Sequence, residues 1–479
     1  MMNDSCVVLD GSQLSPQKLH EIAHGAKVAL CHTARNKMEE NSKHSGSSIL
    51  LEKHLWLTGE STEQSGPELI KRFILSHCAG VGDPLPRTMV RAAIAARINV
   101  LANAVTGSRP IAADKLIEML NKNIIPVVPS QGSVGAAGDL APMAHIARAL
   151  CGYCTKFSLE EPLIPTAKEA LTLINGVSLS AALAGMAVVR TKRIFRGAIA
   201  AAALTMEVVK AQAQCLNPKA LTMRGHPEVA QVGEMLRAWL QGSYRVTEDR
   251  APDAFSLRCG PSVMGAVLRT IRFAEEETLN ELNGCSDNPL IFNGKWVEAG
   301  NFHGASIAMA MDHLKSALAQ LSTLSERRIF RMTHGKLSQN LPSFLVKGNG
   351  LNSGFMIAQY TAAALASETK GLAHPASVDS IPTVQHKEDH VSMAPIAARM
   401  ALESIRCLSD IIAIELLLGA QALDLRIQED GLKTPNRIRQ LHQRIREQIP
   451  FWEDDGVLYT SITPMGQMLR EGELEDLML

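Results

Sequence analysis

Apolar side chains recur every three or four positions through most of this chain. Between Ala305 and Arg327 they fall at Ile307, Met311, Leu314, Leu318 and Leu321, steps that mark the buried stripe of a long helix. Leu179–Ala213 is Ala-rich with almost no turn residues, which suits close helix packing. Phe355–Lys370, Ile396–Leu423 and Asn436–Gln448 carry the same signature, the last with an exposed basic face. Val, Ile and Thr rarely alternate with polar residues, so few or no strands are expected. The pattern predicts a mainly α protein built on a bundle of long helices. Loops are expected near Pro126–Pro142, Arg250–Pro261 and Ala373–Val391. No repeat at a fixed period and no low-complexity linker interrupts it, although Lys37–Gly66 is a looser stretch rich in Ser, Glu and Lys. Residues 1–220 read as an N-terminal part with a small helical and loop region. Residues 221–479 read as a long-helix bundle with C-terminal helices, the two forming one continuous fold.

Composition narrows the function. The 479 residues carry 48 Lys and Arg against 48 Asp and Glu, a balance that argues against nucleic acid or an acidic membrane face as partner. Hydrophobic residues make up 46%, with 34 Gly and 22 Pro, so a globular protein is expected. Nine scattered Cys fit a reducing compartment better than a disulfide framework. Met1–Cys6 shows no basic region and no apolar run, so no secretory leader is expected. The apolar stretches Gly197–Leu204 and Ile411–Leu418 are too short, or carry Glu415, to span a bilayer. A cytoplasmic protein is the expectation.

Three segments break the helical pattern with groups able to do chemistry. In Gly132-Ser133-Val134-Gly135-Ala136-Ala137-Gly138-Asp139-Leu140-Ala141-Pro142, glycines and small residues permit unusual backbone angles and close approach. It lacks the Lys-Ser/Thr of a phosphate loop, and on pattern alone it reads as a helix N-terminus with Asp139 near the cap. Phe255-Ser256-Leu257-Arg258-Cys259 presents an Arg that either caps a helix or forks a substrate carboxylate. Ala376–His390 gathers titratable groups between two apolar helices, with His386 and His390 four apart. That spacing admits a metal-assisted hydrolase, but it is not His-Glu-x-x-His and offers no third ligand, so no metal is assigned. Cys151-Gly152-Tyr153-Cys154 is a CxxC without a βαβ context.

Together these segments resemble the histidine and aromatic amino-acid ammonia-lyase family, from about Leu75 to about Lys433. The resemblance rests on Leu75–Gly82, Gly132–His145, Leu173-Ile174-Asn175-Gly176, Phe255–Cys259 and Ser286-Asp287-Asn288-Pro289. Gly300-Asn301-Phe302-His303, Ser325–Ile329, Leu351–Met356 and Glu388–Met393 continue it in the same order. The histidine branch is the most similar. The resemblance implies a mainly α, ammonia-lyase/fumarase-like fold of long parallel helices. It also implies a homotetramer in which each active site draws on three subunits. The family's chemistry is loss of ammonia from an aromatic α-amino acid to give an arylacrylate. Its electrophile is a methylidene-imidazolone, made from an internal Ala-Ser-Gly by backbone cyclisation and loss of water. A loop tyrosine serves as base.

This chain departs from that pattern at three places. The triplet reads Ala136-Ala137-Gly138, and a methyl has no leaving group, so the methylidene-imidazolone is expected to be absent. Counting back from His77 to the position of the family's tyrosine loop lands on Gly46–His54, which holds no Tyr. The four tyrosines Tyr153, Tyr244, Tyr360 and Tyr459 lie elsewhere. Family Gln-Asp-x-Tyr-Ser-x-Arg becomes Pro252-Asp253-Ala254-Phe255-Ser256-Leu257-Arg258. Changes at all three places point to natural divergence rather than one engineered substitution. By resemblance, Arg258 would hold a carboxylate, while His77, Phe302, Phe255 and Gln385 would contact the rest of a substrate. Asn175 and Glu388 would serve the chemistry, with Glu388 as base. The expected ligand is a small aromatic or imidazole-bearing acid. Two functions follow: elimination or addition by altered acid–base chemistry, or a pseudoenzyme serving as regulatory or structural subunit of an oligomer, alone or with an active paralogue.

Overall fold

Long helices dominate the chain, as the periodicity predicts. The computed structural model describes residues 6–45, 66–154, 156, 157, 159–347 and 351–478. The four longest helices are Ser178–Val208, Gly260–Asn283, Ala305–Thr333 and Ala394–Asp430. Met356–Leu372 and Asn436–Arg446 complete the helices expected from pattern. Strands are few: among the described residues they form three two-stranded sheets. Cys6–Leu9 runs parallel to Lys27–Leu30, Val81–Pro84 antiparallel to Pro129–Gln131, and Leu290–Phe292 antiparallel to Lys295–Val297. No helix among the described residues is long and apolar enough to cross a membrane.

The chain divides into two units, each discontinuous in sequence. One comprises residues 1–189, 274–312 and 375–399, the other residues 190–273, 313–374 and 400–479. In the first, local chemistry fixes where the short helices begin. Ser15 caps Pro16–Ala23, with Pro16 at the first position, where its missing N–H costs nothing. Thr166 and Glu169 form a reciprocal capping box at the start of Ala167–Ile174. Glu169 is fully buried and is also gripped by Arg109 through Nε (2.9 Å) and Nη2 (2.7 Å). The cap therefore positions the helix whose far end presents Asn175.

In the second unit the helices pack around a buried ionic knot. Glu415 is fully enclosed and accepts from Arg328 Nε (2.5 Å) and Nη2 (2.8 Å), Ser325 Oγ (2.5 Å) and Thr205 Oγ1 (2.8 Å). Nearby helix packing is close: a Cβ on Gly419 would lie 2.7 Å from Leu204. Each ion of such a pair is expensive to bury, and is tolerated because the partner and hydroxyls satisfy it. Arg328→Met is expected to destabilise the protein by about 3–5 kcal/mol, because it strands a buried carboxylate. Arg328→Met with Glu415→Leu should recover most of that loss, and urea unfolding midpoints of the two variants check both expectations.

Candidate functional site

In the first unit the structure gathers the Asn175 turn, the Ser286–Asn288 segment and the segment carrying Glu388 around one loop, residues 132–139. Gly138 and Gly176 meet as an isolated bridge, in which Asp139 N–H donates to Gly176 O (2.8 Å) and Gly176 N–H to Ala137 O (3.1 Å). A Cβ on Gly138 would lie 2.1 Å from Gly176 O, so only glycine allows this approach. Gly138 also has φ +93°, a left-handed angle that disfavours other residues. Ser133 Oγ donates to Gly138 O (3.3 Å) across the turn. Ala136 and Gly138 are buried, Ala137 half-buried, and position 137 bears only a methyl group.

The segment carrying Glu388 docks on this loop. Met393 N–H donates to Val134 O (2.8 Å) and Ser392 Oγ to Gly135 O (2.8 Å), while Ala136, Val391 and Met393 share a small apolar core. Upstream, Glu388 accepts from Thr383 Oγ1 (2.5 Å), and Thr383 N–H donates to Glu388 O (3.0 Å). Thr383 is therefore the hydrogen-bond partner of its carboxylate. Between them Val384, Gln385 and His386 all take positive φ, 48–66°, a run of non-glycine residues that costs energy. The spacing of His386 and His390 gave no hint of this turn. His390 instead lies against His303, ring centroids 5.6 Å apart, which ties the Phe302 loop to the Glu388 segment. No group of three His, Cys, Asp or Glu ligands forms around His386 and His390 among the described residues.

Asn175 ends the helix Ala167–Ile174 and is buried. Its Nδ2 donates to Asn288 O (2.9 Å) and Asp287 Oδ1 (3.3 Å), and its Oδ1 accepts from Gly176 N–H (3.0 Å). Asp287 in turn accepts from Lys168 Nζ (2.7 Å) and Thr172 Oγ1 (2.9 Å), all three groups buried. Arg97, fully enclosed, donates to the Asn175 carbonyl, while its Nε and Nη1 find no partner among the described residues. Sequence reasoning quoted the Ser286–Pro289 motif without a role and passed over Lys168 and Arg97 entirely. Nothing in a single sequence pairs residues 119 positions apart.

His77 closes the helix Gly66–Ser76, and its segment leads into the strand Val81–Pro84 that pairs with Pro129–Gln131 just before the loop. His77 Nδ1 lies 2.8 Å from Phe73 O. A carbonyl only accepts, so Nδ1 carries a hydrogen, and Nε2 is the ring nitrogen not used in this contact. Phe255 and Arg258 belong to the second unit. They form the short helix Phe255–Arg258, held upstream by Asp253 accepting from Gln212 N–H (2.6 Å). Phe255 and Arg258 are exposed; the Arg258 N–H donates to Ala254 O (3.0 Å), while its guanidinium makes no hydrogen bond or ion pair among the described residues. The position expected to hold the tyrosine loop, Gly46–His54, lies outside the described residues.

Asp139 corrects the reading of this segment as a simple cap. It precedes the helix Leu140–Leu150 but makes no side-chain bond to it. Its carboxylate instead accepts from Ser180 N–H (2.7 Å) and Ser180 Oγ (2.8 Å), capping the helix Ser178–Val208. The Gly138–Gly176 bridge places it over that helix start. Burial pushes the Asp139 carboxyl up to about 6, against the pull of the Ser180 bonds and Arg97. Burial, helped by the charges of Asp139 and Glu277, pushes Glu281 up to about 7. A carboxyl raised on folding keeps a proton that the unfolded chain has released. Its stabilising contribution is full below the unfolded value of 3.8 and is lost as pH rises through about 6. Between about pH 4 and about pH 7 the parent should therefore lose about 3 kcal/mol relative to Asp139→Asn. Urea unfolding of both proteins across that range provides the check.

The family model described as aromatic amino acid lyase matches residues 14–447. The chain is 42% identical over 429 residues to the histidine ammonia-lyase of Caldanaerobacter subterraneus subsp. tengcongensis, covering 86% of this chain and 84% of the relative. It is 38% identical over 515 residues to that of Anaeromyxobacter dehalogenans, covering 98% and 99%. Among solved structures, histidine ammonia-lyase from Trypanosoma cruzi superposes with a TM-score of 0.87 at 34% identity, covering 99% of this chain and 95% of that one. Tyrosine aminomutase from Streptomyces globisporus superposes at 0.89 with 31% identity, covering 99% and 98%.

Proposed function

Because this chain belongs to the aromatic amino acid lyase family, we propose that it binds a small aromatic or imidazole-bearing carboxylic acid and lacks the family's electrophile. The observation that carries the reading is the methyl group of Ala137 inside an otherwise well-formed loop. The residues present do not fit a methylidene-imidazolone: backbone cyclisation at this turn has no hydroxyl to expel, so no methylene forms. In this reading Arg258 takes the carboxylate. Phe302, Phe255 and the Nε2 face of His77 take the ring, with Gln385 and Asn175 as flanking polar groups. The site is completed in a homotetramer in which each pocket draws on neighbouring subunits.

Without an electrophile, the reaction open to this pocket is elimination or addition by acid–base help alone, on a substrate with a better leaving group than an amino acid offers. Glu388 is the base. Its carboxylate takes the proton next to the breaking bond, that C–H pair becomes the double bond, and the leaving group departs with its own electron pair. The side chain is held by a single hydroxyl from Thr383, which fixes its direction and leaves its second oxygen for the substrate. The names of the relatives favour deamination of histidine, and residue 137 opposes it. The pseudoenzyme reading, a regulatory or structural subunit of an oligomer, is favoured by one observation: the Asn175 amide is spent inside the protein.

Purified protein should yield no arylacrylate from histidine, phenylalanine or tyrosine, and its intact mass should equal that of the encoded chain with no loss of water. A clear urocanate or cinnamate signal would overturn the reading. In a thermal-shift panel of arylacrylates and aryl hydroxy-acids, one at a hundred times its dissociation constant should add roughly 2.7 kcal/mol. That shift should vanish in Arg258→Ala. A flat panel would leave the subunit role in its place.

A further inference from the structure

The second unit holds a cavity of about 480 Å3 that none of the candidate site residues lines. Its size lies within the range that takes small molecules. Phe451, Trp452 and Leu425 supply apolar surface, and Lys347, Glu453 and Asp454 bring both signs of charge to the same space. A pocket with that lining matches a ligand that carries both charges and an apolar body.

The aromatic side is built before any ligand arrives. Trp452 is held by its main chain, its N–H donating to Gln421 Oε1 (3.2 Å) and its carbonyl accepting from Gln421 Nε2 (2.8 Å). Gln421 is itself buried, and the same Nε2 donates to Leu345 O (3.2 Å), another lining residue. The indole lies against Gly456, where a Cβ would come within 1.9 Å of the ring, so glycine there makes room for it. A ring fixed in this way loses little freedom on binding.

The charges around the cavity are largely unspent. Asp455 uses both carboxylate oxygens on the Ser353 and Gly354 N–H groups (2.7 and 2.6 Å), so its role is structural. Its neighbour Asp454 has one recorded bond, from Asn352 Nδ2 (3.1 Å), and Glu453 has none among the described residues. Among the described residues, Lys347 Nζ meets only the neutral Gln428 Oε1 (3.2 Å). One ammonium and two carboxylates thus face one cavity without neutralising one another.

We propose that this cavity binds a zwitterionic α-amino acid with an aromatic or large apolar side chain. Lys347 receives the carboxylate, Glu453 and Asp454 the ammonium, and Phe451 and Trp452 the side chain. The proposal is independent of the reading of Ala137 and of the Arg258 pocket.

Calorimetric titration of the full chain, and of its Arg258→Ala variant to remove the carboxylate fork of the other pocket, with L-phenylalanine and L-tryptophan tests it, with 3-phenylpropionate and 2-phenylethylamine as probes lacking one charge each. Binding of the amino acids, weakened at least about tenfold for either half-probe and about tenfold in Lys347→Met or Trp452→Leu, is expected. The half-probes and the Lys347 and Trp452 substitutions are compared in the Arg258→Ala background, so that a carboxylate held by Arg258 does not contribute. Absence of amino-acid binding overturns the proposal, as does equal affinity in parent and Lys347→Met. Binding lost in Arg258→Ala but kept in Lys347→Met assigns the amino acid to the other pocket, and so overturns this one while leaving the proposed function standing. Should Trp452→Leu fail to fold, Lys347→Met, at an exposed position, decides alone.

Discussion

Two glycines pressed backbone to backbone organise the first unit. Gly138 and Gly176 approach so closely that a methyl on the first would meet Gly176 O at 2.1 Å, and one on the second would meet Ser286 O at 1.7 Å. The contact is purchased with conformational freedom, since glycine loses more of it on folding than other residues. In return, three stretches far apart in sequence share one spot: the loop 132–139, the Asn175 turn and the Ser286–Asn288 segment. Asp139 is carried over the start of the helix Ser178–Val208 by the same contact, which is why its carboxylate caps that helix rather than its own.

The groups that hold this arrangement differ from those left free to meet a ligand. Lys168, Asp287, Thr172 and Arg97 are buried around Asn175 and have their bonds directed inward. Charges enclosed to that degree are costly unless paired, so their value lies in fixing one geometry rather than in net stability. The candidate residues His77, Phe302 and Glu388 are only half-buried, the Phe302 loop tied in through the His303–His390 contact and Glu388 steadied by Thr383.

Long helices were legible because apolar positions repeated over several turns, and Ala305–Thr333 and Ala394–Asp430 extend beyond the stretches first marked by their stripes. The strands were not. Val81-Gly82-Asp83-Pro84 is exposed throughout and holds a proline, so nothing in its composition signals pairing with Pro129–Gln131. The candidate residues came from resemblance to a family, and geometry then sorted them: Asn175 is internally satisfied, while Arg258 is exposed on a pinned turn. The left-handed run at Val384–His386 was invisible, because no residue there is one that favours positive φ. Partners such as Ser180 for Asp139 require knowledge of which turns touch, and that is a property of the folded chain.

The loop also explains how a protein can change residue 137 without losing its fold. Every bond that shapes residues 133–139 uses backbone groups or flanking side chains: Val134 O with Met393 N–H, Gly135 O with Ser392 Oγ, Gly138 O with Ser133 Oγ, Ala137 O with Gly176 N–H, and Asp139 N–H with Gly176 O. The side chain at 137 enters none of them. Exchanging one small side chain for another at position 137 therefore removes none of these bonds. Selection on stability is blind to such a position, whereas selection on a reaction that needs a leaving hydroxyl is not.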